Sequence, residues 1–252
     1  MKKVLAIVLA VLAAATCFAG CGKSKETTEA KKQLVMGTNA SFPPYEFVDD
    51  NNNIVGIDAE IAKALADKLG MELTIKDMEF DSLIPAVKGG SIDVVLAGMT
   101  VTDERKESVN FSDSYATGIQ SIIVKDSSEI KNADQLKNAK KIGVQTGTTG
   151  DIYCTDDFGK DKVNQYANGS LAVAALKNGQ VDAVVIDNEP AKNYVKANAG
   201  LKILDTEYAV EDYAIAVSKD NQQLLDDINK ALKELTDSGK IKEIVDKYIT
   251  AE

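Results

Sequence analysis

Three short stretches hold residue types able to recognise a small charged molecule. In Thr100-Val101-Thr102-Asp103-Glu104-Arg105, Thr102 with Asp103 and Glu104 reads as a helix N-cap followed by acidic first-turn residues. Arg105 falls in that same turn, where a cation opposes the helix dipole, so its guanidinium suits another task, such as forking onto a carboxylate. Gln145-Thr146-Gly147-Thr148-Thr149-Gly150 sets hydroxyls and backbone N–H groups at a helix start, an anion site in principle. It lacks the Gly-Lys-Ser/Thr ending of a Walker motif and the glycine spacing of a dinucleotide fingerprint. Asp187 closes the apolar run Val181 to Ile186, at the strand end where open α/β sheets place ligands, and its carboxylate could hold an ammonium. Taken singly, each feature has a plain structural reading: a solvated Arg, a tight turn, an N-cap for a helix beginning at Glu189. The aromatic residues Phe42, Tyr45, Phe47 and Phe80 read singly as core.

The chain has 252 residues, 44% hydrophobic and 27% charged, which suits one large or two small globular domains. It contains no His. That excludes Ser-His-Asp and Cys-His relays and removes the commonest zinc ligand. With 29 basic against 39 acidic side chains, a nucleic acid is not an expected partner, since phosphate binding draws on clustered Lys and Arg. No cofactor or metal is implied.

Positioning these stretches requires strands alternating with helices, an α/β pattern. Strands are expected at Leu34 to Gly37, Leu73 to Ile75, Ile92 to Ala97, Ile119 to Val124, Lys141 to Val144, Val163 to Tyr166, Val181 to Ile186 and Tyr213 to Val217. Ile57, Ile61, Leu65 and Leu69 recur every four residues and mark a helix over Asp58 to Leu69. Further helices are expected at Leu83 to Lys88, from Gly150, at Leu171 to Lys177 with Ser170 as cap, at Glu189 to Ala197, from Leu224 towards Gly239, and from Lys240 to Tyr248. Residues 115–119 and 209–213 read as crossings between two lobes.

The N-terminus belongs to export. Lys2 and Lys3 precede a wholly apolar run, Val4 to Ala15, too short for a typical membrane span and suited to a signal-peptide core. Phe18-Ala19-Gly20-Cys21 resembles the lipobox of bacterial lipoproteins, apart from Phe18 where Leu is usual. Cleavage after residue 20 would leave Cys21 as a lipidated N-terminus, and residues 21–33, without a large apolar residue before Leu34, as a tether. Cys154 then has no internal partner and reads as a small buried apolar residue.

Gly37-Thr38-Asn39-Ala40-Ser41-Phe42-Pro43-Pro44-Tyr45-Glu46-Phe47, Gly56-Ile57-Asp58, Phe80-Asp81-Ser82-Leu83-Ile84-Pro85, Ala97-Gly98-Met99-Thr100 with Thr102 to Arg105, and Phe111-Ser112-Asp113 together resemble the polar amino acid binding proteins of ABC importers. The resemblance runs from about Leu34 to Tyr248. It implies a periplasmic-binding-protein-like type II fold, two α/β lobes on a two-segment hinge that close over a ligand. Lobe 1 would comprise 34–114 and 214–252, lobe 2 residues 120–208, and the hinge 115–119 with 209–213.

By the same resemblance Arg105 would grip the ligand α-carboxylate with the Thr100 backbone and Thr148 or Thr149. Asp187 would hold the α-ammonium with the Gly98 carbonyl and the Thr100 hydroxyl, and Phe42 and Phe80 would sandwich the aliphatic part. Asn39 stands where relatives for cationic amino acids often carry Asp. Ala97, Gly98 and Thr100 look like the glutamine-binding branch, although Gln145 and Ile186 depart from it. Gln145 and Asn39 could bond a side-chain amide or hydroxyl, which points to a neutral polar ligand such as glutamine, with arginine or cystine still open. The expected protein is a monomeric, lipid-anchored, extracellular receptor that passes an L-amino acid to permease subunits. A sensory module and a cyclohexadienyl dehydratase-like enzyme are the competing readings.

Overall fold

Residues 32–205 and 208–249 are described by a computed structural model, and the signal segment and Cys21 lie outside them. Strand β1 (Gln33–Thr38) leads into three short antiparallel strands, β2 (Ser41–Phe42), β3 (Glu46–Val48) and β4 (Ile54–Val55), which form a small sheet of their own. Helix α1 (Ile57–Leu69) buries Ile57, Ile61 and Leu65 of the stripe that its sequence displays, and Leu69, in its last turn, is partly buried. Next come β5 (Glu72–Asp77), α2 (Leu83–Lys88), β6 (Val94–Val95) and α3 (Asp103–Ser108). The 17-residue β7 (Val109–Lys125) carries the chain away, and β8 (Ile142–Gln145), α4 (Thr149–Phe158), β9 (Val163–Tyr166), α5 (Gly169–Lys177), β10 (Ala183–Asp187), α6 (Asn188–Ala197) and β11 (Leu201–Ile203) follow. Strand β12 (Ala209–Ser218) returns beside β7, and α7 (Gln222–Asp237) and α8 (Lys240–Tyr248) complete the described chain.

Nine of the described strands make one sheet in the order β5-β1-β6-β12-β7-β10-β8-β9, with β11 paired to β7. Strands β12 and β7 are antiparallel at its centre; β12 also pairs β6, and β7 also pairs β10. They are the two strands shared by both lobes. The expected hinge segments 115–119 and 209–213 fall inside this pair, opposite each other in register, and the pairing shifts register beside Tyr213. On one side, Phe80, Leu83, Val87, Ile92, Val95 and Met99 pack together; on the other, Ile122, Val124, Leu136, Ile142, Val144 and Cys154 do.

Differences from the expected elements have local causes. The run Ile92 to Ala97 yields only Val94–Val95 as strand, because Ala97 to Thr100 turns out of the sheet through Gly98, where φ is +51°. The segment 119–124 is the tail of a strand that begins at Val109, since pairing with β12 extends it. Ser170 does not cap α5: Asn168 does, its side chain accepting from the Leu171 N–H, and Ser170 donates to Asn168 at 2.7 Å. Gln33, the last residue assigned to the tether, already pairs with Glu72 in β1–β5.

Candidate ligand-binding site

Asn39, Phe42, Phe80, Ala97, Gly98, Thr100, Arg105, Gln145, Thr148, Thr149 and Asp187 line one cavity, together with Glu46. Its walls come from the ends of β1, β6, β8 and β10, so it lies where both lobes meet.

Thr102 caps α3 by accepting from the Arg105 N–H, which places the Arg105 side chain over the loop after β6. Nη1 donates to the Thr100 carbonyl at 2.7 Å and Nη2 to the Gly147 carbonyl at 3.1 Å, so the guanidinium bridges the two lobes. Its plane lies over the Phe80 ring, 5.4 Å from the centroid. Among the described residues no carboxylate takes its fork. Burial pulls its pKa down, with Glu211 and Asp187 opposing that pull.

Across the cavity, α4 begins at Thr148, whose hydroxyl accepts from the Asp151 N–H and donates to the Gln145 carbonyl at 2.9 Å. Capping therefore occupies Thr148, while Thr149 stands in the first turn with its hydroxyl 3.5 Å from Gln120 Nε2. Gln145 Nε2 donates to Asn39 Oδ1 at 2.9 Å, and Asn39 Nδ2 donates to the Met78 carbonyl. The two amides expected to meet a ligand side chain thus also meet each other across the lobes.

Asp187 occupies the N-cap position of α6 without making a capping bond. Instead Oδ1 accepts from the Tyr213 hydroxyl, whose ring packs so closely over Gly118 that a Cβ there would lie 2.3 Å from it. Burial first, and Glu211 next, push Asp187 up to about 7.

Two carboxyl groups went unread in the sequence. Glu46 lines the cavity and is buried beside Asp58; burial and Asp58 hold it well above the carboxylate range, and burial raises Asp58 to about 6. Asp58 Oδ2 accepts from the Gly98 N–H and the Tyr115 hydroxyl, each at 2.8 Å. Crowding two acids into one buried place favours the protonated form of Glu46. Glu211, on β12, accepts from Thr100 Oγ1 at 3.1 Å and Gln120 Nε2 at 3.0 Å. Sequence gave no local signal for either: Glu46 sits in an aromatic loop, and Glu211 in a strand whose crossing partner is far along the chain.

The lobes also touch at the rim. The Tyr194 hydroxyl of α6 donates to the Ser41 carbonyl at 2.5 Å, and Asn193 Nδ2 reaches the Pro43 carbonyl at 3.4 Å. Among the described residues no helix is long and apolar enough to cross a membrane.

Comparison with known proteins places this architecture. The family model of bacterial extracellular solute-binding proteins, family 3, matches residues 34–251. The arginine-binding extracellular protein ArtP of Bacillus subtilis (strain 168) is 40% identical over 265 residues, covering 100% of both chains. An ancestral arginine-binding protein solved with arginine superimposes with a TM-score of 0.82 at 46% identity, covering 88% of this chain and 100% of that one. The form solved with glutamine gives 0.83 at 45%, with the same coverage. The chain belongs to the family 3 bacterial extracellular solute-binding proteins, the polar amino acid receptors of ABC importers, with their two-lobed fold, and it is not an enzyme.

Proposed function

We propose that the protein captures L-arginine outside the cell and delivers it to the permease of an ABC importer. The observation that carries this reading is a charge imbalance. Among the described residues Arg105 is the one cation lining the cavity, while Asp187 and Glu46 line it and Glu211 and Asp58 are buried behind it, bonded to Thr100 and Gly98. A zwitterion adds no net charge, whereas a guanidinium side chain brings the missing positive one, and buried acids gain most from a paired cation. The buried Glu46–Asp58 pair brings acid to the side of the cavity where Asn39 stands in place of Asp. The names of the relatives support the same choice.

The roles follow from the donors and acceptors present. Arg105 takes the α-carboxylate with the first-turn N–H groups of α4 and Thr149. Asp187 takes the α-ammonium with Thr100 and the Gly98 carbonyl, and Phe42 and Phe80 flank the alkyl chain. Closure about β7 and β12 shuts these charges from water. Cys21 carries the lipid that keeps the monomeric receptor at the membrane.

Glutamine is the second reading, favoured by the Asn39–Gln145 amide pair and by the glutamine-bound ancestral structure. Calorimetric titration of the purified protein with L-arginine, L-lysine, L-histidine and L-glutamine separates them. Tightest binding of arginine is expected; tighter binding of glutamine would remove the charge argument.

A further inference from the structure

We propose that Glu211, which does not line the cavity, sets its selectivity by fixing Thr100 as a hydrogen-bond acceptor, so that the site takes an α-amino acid and rejects the matching α-hydroxy acid. The inference rests on the amino acid reading above and adds a positioning residue to it.

A carboxylate offers only lone pairs, and a threonine hydroxyl has a single proton. Because Thr100 Oγ1 gives that proton to Glu211 Oε2, what Thr100 can present to the cavity it lines is lone pairs. Neighbouring donors are spent in the same way. Gln120 Nε2 donates to the same Glu211 oxygen, the Tyr213 hydroxyl donates to Asp187, and the Gly98 N–H donates to Asp58. The remaining Glu211 oxygen, Oε1, is buried with no hydrogen-bond partner among the described residues.

With Asp187 ionised, the wall formed by Asp187, Thr100 and the Gly98 carbonyl is therefore acceptor-only. An ammonium group brings three donors and no lone pair, which matches it. A hydroxyl brings one donor and two lone pairs, and those lone pairs would face acceptors in a desolvated site, the mismatch that discriminates most strongly between otherwise similar ligands. Glu211 acts without touching the ligand. It sits on β12 opposite Gly118, anchored by the strand pair that both lobes share.

The test measures affinities by calorimetry for L-arginine and for its analogue with hydroxyl in place of the α-amino group. Glu211→Gln can donate an amide proton to Thr100 and so release the Thr100 proton toward the cavity. The amine-to-hydroxyl affinity ratio is expected to fall at least tenfold in E211Q and to stay near the wild-type value in E211D, which keeps an acceptor-only group. In a Thr100→Val background, E211Q should change the ratio less than twofold. An unchanged ratio in folded E211Q, or an effect that persists in the T100V background, overturns the proposal. Thr100→Val alone covers the case in which E211Q does not fold: its ratio is expected to collapse, and a retained ratio overturns the proposal equally. If the wild type prefers another amino acid, the arginine assignment falls by itself, and the same ratio is read with that acid and its hydroxy analogue.

Discussion

Asp187 works against the stability of its own fold. Its pKa of about 7 in the buried site, against an ordinary 3.8, means that the folded state binds a proton more readily than the unfolded chain. Between those values folding takes up a proton, so this contribution is fully present below pH 4 and is lost as pH rises through 7. Ligand binding has the opposite sign, because an ammonium needs the ionised carboxylate. Affinity should therefore rise from pH 5 to pH 8 with release of about one proton, measurable by calorimetry in buffers of different ionisation enthalpy. Asp187→Asn is expected to raise the melting temperature of the unliganded protein at pH 8 and to cost at least about 2 kcal/mol of binding. A variant that loses both stability and affinity would refute the account. Arg105→Ala should also lose at least about 2 kcal/mol of affinity, since it strands a desolvated ligand carboxylate; an unchanged titration would remove it from the site.

Elements set which hydroxyls are available. Thr148 caps α4 and is consumed by the cap, whereas Thr149, one residue on, keeps its hydroxyl for the cavity. At the rim, α6 leans on the loop around β2 through Tyr194. Tyr194→Phe removes that bond without touching the site, so it should shift the lobes toward separation by about 1 kcal/mol, the net worth of one hydrogen bond. Ligand affinity would then fall several-fold, chiefly through faster dissociation, because opening must precede escape. Stopped-flow dissociation rates check this, and a rate equal to wild type would show that the contact does not hold the lobes.

For the whole molecule, the two halves bring unlike groups to one place. On the expected division of the chain, lobe 1 would supply Arg105, Thr100 and both rings and lobe 2 Asp187 and the N-terminus of α4, all of which line one cavity or stand at its edge. The lipid-anchor proposal is tested at this scale too: Cys21→Ser should release the protein from bacterial membranes into the medium. Its retention at the membrane would rule out lipid on that residue.

The α/β order, α1, α2, α8 and the chemical stretches around Arg105, Thr148 and Asp187 were legible because they rest on short-range features: a four-residue apolar stripe, a cap, an apolar run ending in a charge. The eleven lining residues became a set through the family resemblance, since nothing local ties Asn39 to Gln145 or Arg105 to Gly147. What only the tertiary structure decided was pairing across distance. That the guanidinium rests on two carbonyls, that Asp187 bonds Tyr213 instead of capping α6, and that Glu46 and Glu211 add acid to the site all depend on which strands lie side by side. A carboxyl group's charge state follows from burial and neighbours, and those belong to the packed molecule, not to the chain around it.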